Sequence, residues 1–229
     1  MTETQTIQPV FQVFAPPVDP AIAYDAALYF LDGHYLFRSR EQAGWKSKFV
    51  TSADVLAAFT GKETDSGWWP AGIVRAGTSK SGGWFVYSAP AQKAAISFDG
   101  QPESVKIPLP RTVLVGIGSS YYLWALKAER FDRNAVAYAA PFPNVHSDGK
   151  VCWGASTPPR AAPDKAREVW ELFFSTPFSD HLVDRKSKAH PGDVRIELRE
   201  LAGKREYPVD DLLMTGTQIA YLVDHLIQE

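Results

Sequence analysis

Alternating apolar and polar positions dominate the first part of the chain, and a helical pattern follows later. Two aromatic-rich runs flank Asp32-Gly33, a dipeptide that is typical of a two-residue β-hairpin turn. A capping hydroxyl at Thr51 or Ser52 then predicts a short helix. These signals predict a hairpin and helix extension at 10–66, after a flexible leader at 1–9.

Seven further strands are predicted in the middle of the chain, where short apolar runs are separated by Gly-Gly, Asp-Gly and Gly-Ser-Ser turns. These strands span 72–75, 84–88, 94–98, 105–107, 112–117, 121–128 and 135–139. Because short turns join successive strands, we expect an antiparallel meander.

The period of the pattern changes to about 3.6 residues after position 152, which is typical of helices. Residues 164–175 place large apolar side chains on one side, so they predict a helix that ends before Pro177. Residues 194–198 alternate like a strand, and residues 210–228 predict a closing helix that is interrupted near Gly216.

These elements predict an α+β fold, in which helices pack against an antiparallel β-meander. We expect the core of the fold at 67–184, between the N-terminal hairpin extension and a C-terminal strand and helix. The C-terminal segment, 185–229, should pack on this core, and it begins with a short basic loop at 185–188.

Composition excludes several classes of protein. The 229 residues are 45% hydrophobic and 13% aromatic, which indicates a folded globular chain. A net charge of −2 gives no broad positive surface for nucleic acid or for an anionic membrane. No apolar run approaches the length of a membrane span, and the start of the chain lacks the features of a secretory signal. A single cysteine rules out an internal disulfide and is consistent with the cytoplasm.

Metal and nucleotide chemistry have no support in the sequence. The histidines are widely separated and form no known ligand motif; they are His34, His146, His181, His190 and His225. No glycine-rich phosphate loop is present. We therefore expect neither a metal nor another cofactor.

The segment Pro143–Gly154 carries the main candidate chemistry. It contains the only cysteine, Cys152, and Asn144 precedes this cysteine by eight positions across a turn signal. A thiolate is a natural acceptor for an acyl group, and a nearby amide can stabilise the oxyanion of acyl transfer. A lone cysteine is more often a small buried hydrophobe, and asparagine is common in turns, so structural roles remain the alternatives.

These residues resemble the conserved motif of ubiquitin-conjugating enzymes. Those enzymes carry a His-Pro-Asn tripeptide, a turn that ends in glycine, and a catalytic cysteine eight residues after the asparagine. The tripeptide Pro143-Asn144-Val145, together with Gly149 and Cys152, keeps this spacing. Phe142 replaces the family histidine, whose hydrogen bonds order the loop in those enzymes.

A narrower resemblance covers most of the chain and is firmest over 108–181. Residues 140–154 and the segment Trp170–Phe178 are similar to the bacterial group called PRTRC system protein B, which is prokaryotic conjugating-enzyme family D. The resemblance implies three partners: a ubiquitin-like protein, a ThiF-like activating enzyme and a JAB-type metallopeptidase. It also implies that Cys152 carries the modifier as a thioester, and that Asn144 assists its transfer.

Other polar residues are candidates for supporting roles. Asp180 and His181 follow the predicted helix, where the resemblance implies an acidic or polar gating residue; a helix-end polar pair is the alternative. His146 lies in the cysteine loop and either contributes to proton transfer or faces solvent. Lys150 and His146 favour the thiolate, whereas Asp148 opposes it, so we expect a balanced thiol.

Three hypotheses of function follow. The leading one is a cysteine-dependent carrier that accepts a ubiquitin-like protein on Cys152 and transfers it to an amine or another nucleophile. The second is a catalytically idle scaffold of the same fold that binds a ubiquitin-like protein. The third is a cysteine hydrolase that uses Cys152, a histidine such as His181, and Asn144 as an orienting residue.

Overall fold

The computed structural model describes residues 25–32, 34–60, 68–79, 81–101 and 103–228. The predicted leader at 1–9 lies outside these residues. The chain divides into two compact units, Met1–Ser66 and Gly67–Glu229. Within the described residues, no helix is long and apolar enough to cross a membrane.

The first unit contains a small antiparallel sheet and one helix. The elements are β1 (Ala26–Leu31), β2 (His34–Glu41), β3 (Gly44–Val50) and α1 (Ser52–Thr60). The predicted hairpin is present as β1 and β2, and β3 adds a third strand. The sequence missed β3 because nearly all of its side chains are exposed, which leaves no apolar alternation. Thr51 and Asp54 cap α1 reciprocally, since each backbone N–H donates to the other side chain.

The second unit is built on a six-stranded sheet. Its strands are β4 (Ile73–Ser79), β5 (Gly82–Ala89), β8 (Arg111–Ile117), β9 (Ser120–Leu126), β10 (Val136–Ala139) and β11 (Met214–Gln218). Their order across the sheet is β11-β10-β9-β8-β5-β4, and all neighbours are antiparallel. The predicted α+β class with an antiparallel sheet and packed helices is therefore confirmed.

Two of the predicted strands leave the meander. β6 (Gln92–Ile96) and β7 (Val105–Leu109) form a separate two-stranded sheet, while β5 pairs directly with β8. Pro90 and Pro110 stand at the two points where the chain leaves and rejoins the main sheet. Because proline donates no backbone hydrogen bond, it interrupts the ladder at both points.

The central strands are buried on both faces, which explains their nearly continuous apolar runs. In β5, Phe85 belongs to a large apolar cluster on one face, and Trp84 and Val86 belong to a second cluster on the other. Helix α2 (Ala166–Ser175), which follows a short 3-10 turn at Pro163–Lys165, covers the first face.

The predicted strand at 194–198 is wrong, because these residues lie in helix α3 (Val194–Glu200). The Asp193 side chain caps the helix by accepting a hydrogen bond from the Arg195 N–H at 2.9 Å. Val194 and Leu198, which are four residues apart, are fully buried, whereas Ile196 is exposed. An apolar residue at every second position fits either period over so short a segment.

The predicted interrupted helix at 210–228 is also wrong in its first half. A 3-10 turn at Val209–Asp211 leads into strand β11, and helix α4 comprises Ile219–Gln228. Residues 214–218 form a strand rather than a helix because their backbone pairs with β10 at the edge of the sheet. Ile219 and Val223 of α4 then pack on the second face of the sheet.

Helix α3 also carries a buried carboxyl group, that of Glu197, which lies close to the carboxyl group of Asp211. The Glu197 side chain is almost fully buried, and burial raises its pKa to about 7, with a further increase from the neighbouring carboxyl group of Asp211. Folding therefore takes up a proton on Glu197 between pH 4.5, its ordinary pKa, and pH 7. The free energy of unfolding consequently falls as the pH rises through this window.

We expect Glu197→Gln, which cannot ionise, to match the wild type in stability at pH 4, below this window. At pH 8 the variant should be more stable by about 1–3 kcal/mol, because the wild type then carries a buried charge beside Asp211. Urea unfolding at the two pH values measures this difference, and Glu206→Gln, at an exposed glutamate, is the matched control. A wild type that is more stable than Glu197→Gln at pH 8 would contradict the prediction.

Candidate functional site

The candidate cysteine lies on a small hairpin that we call the cysteine hairpin, residues 144–152. Val145 and Val151 form an antiparallel bridge at its centre. At its open end, the Cys152 N–H donates to the Asn144 carbonyl at 2.7 Å. The two candidate catalytic residues are therefore directly opposite each other, so the spacing of eight residues is the length of the hairpin.

The second arm of the cysteine hairpin continues the main sheet along β9. The Leu123 N–H donates to the Gly149 carbonyl at 2.8 Å, and the Val151 N–H donates to the Tyr121 carbonyl at 2.8 Å. The residue before Cys152 is thus held by a buried strand. A group placed on a regular element is positioned more precisely than one on a free loop.

Gly149 is required at the turn of the hairpin for two reasons. Its φ angle is +90°, a conformation that residues with a side chain rarely adopt. A Cβ atom at this position would also lie 2.5 Å from the Trp124 ring. The glycine in the motif is therefore a consequence of the close approach of the hairpin to β9.

Asn144 connects the cysteine hairpin to the segment 177–181, which follows α2. Its side-chain Oδ1 accepts a hydrogen bond from the Ser179 hydroxyl at 2.7 Å, and its Nδ2 donates to the Pro177 carbonyl at 3.5 Å. Its backbone N–H donates to the His181 carbonyl at 3.2 Å. Asn144 is almost fully buried and has a φ angle of 62°, which asparagine tolerates better than most residues.

Phe142 occupies the position of the family histidine and orders this part of the chain by packing. It is fully buried, and its ring centroid lies 5.0 Å from that of Phe174 and 6.1 Å from those of Phe173 and Phe178. Aromatic pairs of this kind contribute roughly 0.5–1.5 kcal/mol each beyond their buried area. Phe142 therefore orders the loop through apolar contacts with α2, whereas the histidine of the ubiquitin-conjugating enzymes orders it through hydrogen bonds.

Pairwise contacts connect four of the five predicted site residues: Cys152 to Asn144, Asn144 to His181, and His181 to His146. Cys152 is half-buried and Asn144 lies opposite it. The exposed rings of His146 and His181 meet edge to face, with centroids 6.3 Å apart. His181 reaches the hairpin because its carbonyl accepts the Asn144 N–H.

Asp180 has a different environment from the other four residues. It is exposed, and its charge acts on the guanidinium of Arg195 at the start of α3. The pKa of Arg195 is raised mainly by hydrogen bonds to Asp193, and Asp180 adds to this increase. Asp180 therefore marks the edge of the site next to α3.

Two residues that contact the hairpin, Ser179 and Lys186, were not among the predicted site residues. The predicted basic loop at 185–188 is only partly exposed, since Lys186 is 4% exposed and Ser187 is fully buried. The Lys186 Nζ donates to the Val145 carbonyl of the cysteine hairpin. No local signal could have shown this, because a run of basic residues is usually a solvated surface.

Possible metal ligands do not cluster in the described ranges. No group of three or more His, Cys, Asp or Glu side chains within 25–32, 34–60, 68–79, 81–101 and 103–228 is arranged to hold a metal ion.

The antiparallel sheet, the packed helices and the cysteine hairpin are those of a conjugating-enzyme-like protein. A family model described as Prokaryotic E2 family D matches residues 46–215, where E2 denotes the ubiquitin-conjugating class. The chain belongs to this family, which confirms the family resemblance and supports a conjugating-enzyme-like role. Neither the curated proteins nor the solved structures contain a match.

Substitutions of the two glycines on either side of Cys152, Gly149 and Gly154, distinguish the cost of backbone strain from the cost of steric overlap. Gly154 also has a positive φ angle, +57°, but nothing lies within 4 Å of a Cβ atom placed there. We expect Gly154→Ala to cost about 1 kcal/mol, and Gly149→Ala to cost a further 1–3 kcal/mol because of its overlap with Trp124. Urea unfolding followed by tryptophan fluorescence measures both changes, and equal losses would show that β9 does not constrain the hairpin.

Proposed function

We propose that this protein is a cysteine-dependent carrier of a bacterial ubiquitin-like protein. The observation that carries the proposal is the hydrogen bond between the Cys152 N–H and the Asn144 carbonyl, which pairs a thiol with an asparagine across one hairpin. Membership of Prokaryotic E2 family D supports the same class of role.

In the first step, the Cys152 thiolate attacks the activated carboxyl carbon at the C-terminus of the modifier. A new C–S bond forms, and the bond to the leaving group of the activating enzyme breaks. The half-buried position of Cys152 suits this step, since the thiol must be reachable by a large acyl donor. The lone pair of the amine acceptor attacks the resulting thioester in the second step, the C–S bond breaks, and the acceptor releases a proton.

Asn144 would stabilise the oxyanion of this second step. An amide nitrogen carries two hydrogens, and one of them points to the Pro177 carbonyl over a long contact of 3.5 Å. The other hydrogen is then a donor for the oxyanion, while Ser179 holds the far side of the amide. One such donor contributes on the order of 10²–10³ in rate.

We assign supporting roles to His146, His181 and Asp180. The two histidine rings lie together beside the hairpin and could accept the proton of an incoming amine. Asp180 lies next to His181, where its exposed carboxylate attracts a cationic acceptor.

The proposed partners follow from the resemblance to the PRTRC group. They are a ubiquitin-like protein as the cargo, a ThiF-like activating enzyme as the donor, and a JAB-type metallopeptidase in the same system. We propose that the reaction takes place in the cytoplasm, because a free nucleophilic thiol survives best in a reducing compartment.

The first test mixes the protein with the ubiquitin-like protein, the activating enzyme and ATP, and then separates the products on a non-reducing gel. We expect an adduct that disappears with thiol, without ATP and in Cys152→Ala, because the linkage is a thioester. If the activating enzyme is shown to form the activated modifier and no adduct appears, the result would favour the idle scaffold. Release of the modifier from a fusion without ATP would favour the hydrolase.

A second test separates the two roles of Asn144. We expect Asn144→Ala to charge within a few-fold of the wild-type rate, and to discharge to free lysine about 10²–10³-fold more slowly. Ser179→Ala is the matched control, since it frees the same amide without removing it and should slow discharge far less. Single-turnover charging and discharge assays measure both rates, and an equal loss in both steps would assign Asn144 a loop-building role.

A further inference from the structure

Lys186 is a buried ammonium group that lies against the cysteine hairpin. It is 4% exposed, and its Nζ lies 2.5 Å from the Val145 carbonyl oxygen. Val145 is the residue after Asn144 and is itself almost fully buried. A buried carbonyl needs a hydrogen-bond donor, and a charged donor forms a bond about twice as strong as a neutral one.

The fold holds Lys186 in place through backbone bonds to the first residue of α3 and to the turn before that helix. The Val194 N–H donates to the Val183 carbonyl at 3.0 Å, and the Arg185 N–H donates to the Pro191 carbonyl at 2.7 Å. Arg185, the residue before Lys186, has a φ angle of 55°, which is an unfavourable conformation for a residue with a side chain. Backbone strain of this kind persists only where the surrounding structure imposes it, and it is often found at functional sites.

The first arm of the cysteine hairpin is therefore held on both sides. On one side Val145 pairs with Val151, and the Asn144 carbonyl accepts the Cys152 N–H. On the other side the Asn144 N–H bonds to the His181 carbonyl, and the Val145 carbonyl bonds to Lys186. Lys186 and His181 together take the place that a neighbouring strand would occupy.

The charge on Lys186 is retained at neutral pH. Burial lowers the pKa of Lys186 to about 8, while the carboxylates of Asp184 and Asp148 oppose this decrease. Asp148 is fixed at the turn of the cysteine hairpin, because its Oδ1 accepts the Lys150 N–H at 2.9 Å. The ammonium group thus interacts with the hairpin at its base through Val145 and at its turn through Asp148.

We infer that Lys186 is a positioning residue for the transfer step, which holds Asn144 opposite Cys152 through the Val145 carbonyl. This inference rests on the proposed carrier function and adds to it a residue outside the cysteine motif. Lys186 does not touch the reacting atoms; it acts through Asn144. An uncharged side chain at this position leaves the Val145 carbonyl without a donor and allows Asn144 to move.

Lys186→Met tests this inference, because methionine keeps the length of the side chain and removes the donor. We expect charging of Cys152 within a few-fold of the wild type and discharge slower by on the order of tenfold, as small displacements of a catalytic group are costly. Lys188→Met is the matched control: Lys188 is an exposed lysine two residues away that donates to the Asp210 carbonyl at 2.6 Å. Lys186→Arg keeps a charged donor and should recover part of the lost rate.

The double variant Lys186→Met with Asn144→Ala distinguishes positioning from a general structural role. If Lys186 acts through Asn144, the double variant discharges no more slowly than Asn144→Ala alone. A tenfold further loss in the double variant would overturn the inference, as would equal effects of Lys186→Met and Lys188→Met.

Hydrogen–deuterium exchange gives a readout that does not depend on the carrier function. In Lys186→Met, peptides over residues 144–152 should exchange at least several-fold faster, whereas peptides over 111–117 and 166–175 should keep the wild-type rate. Unchanged exchange at 144–152 would overturn the inference even if the carrier function holds. Faster exchange there, in a protein that forms no thioester, would support the positioning of the hairpin and reject the carrier function instead.

Discussion

The position of the candidate cysteine depends on how one buried strand divides its hydrogen bonds between two partners. Strand β9 pairs with β10 at Trp124 and Ala125. Nearer the start of β9, the same edge of the strand is bonded instead to Gly149 and Val151 of the cysteine hairpin. Because β9 has another strand on its other edge and apolar clusters on both faces, it cannot shift to accommodate the hairpin. The hairpin must fit the strand, and the glycine beside Trp124 makes this possible.

The first arm of the hairpin is ordered by three different kinds of contact. Phe142 packs among the aromatic rings of α2, Asn144 bonds to the segment after that helix, and the Val145 carbonyl bonds to the buried ammonium of Lys186. The apolar contact fixes the entry of the chain, while the polar contacts fix the direction of its amides. A site ordered in this way does not need the histidine of the ubiquitin-conjugating enzymes to hold its asparagine.

Backbone strain is concentrated around the same site. Among the described residues, the non-glycine positions with a positive φ angle are Asn144, Leu182 and Arg185. Asn144 belongs to the cysteine hairpin, and the other two belong to the segment that carries His181 and Lys186. This conformation costs about 1–2 kcal/mol for each residue, so the core must compensate for it. The burial of apolar side chains of α2 and α3 in one large cluster provides that compensation.

The sequence by itself determined the strands β4 to β10 of the second unit, the amphipathic face of α2 and the eight-residue spacing of Asn144 and Cys152, because each is a local pattern of side chains. The pattern at 194–198 wrongly predicted a strand, and the sequence could not show that 214–218 would join the sheet. Only the tertiary structure decided that β6 and β7 leave the meander, and that Lys186 is buried under the hairpin. The reason is physical: which strand edge is free and which lysine is buried depend on residues far away in the chain.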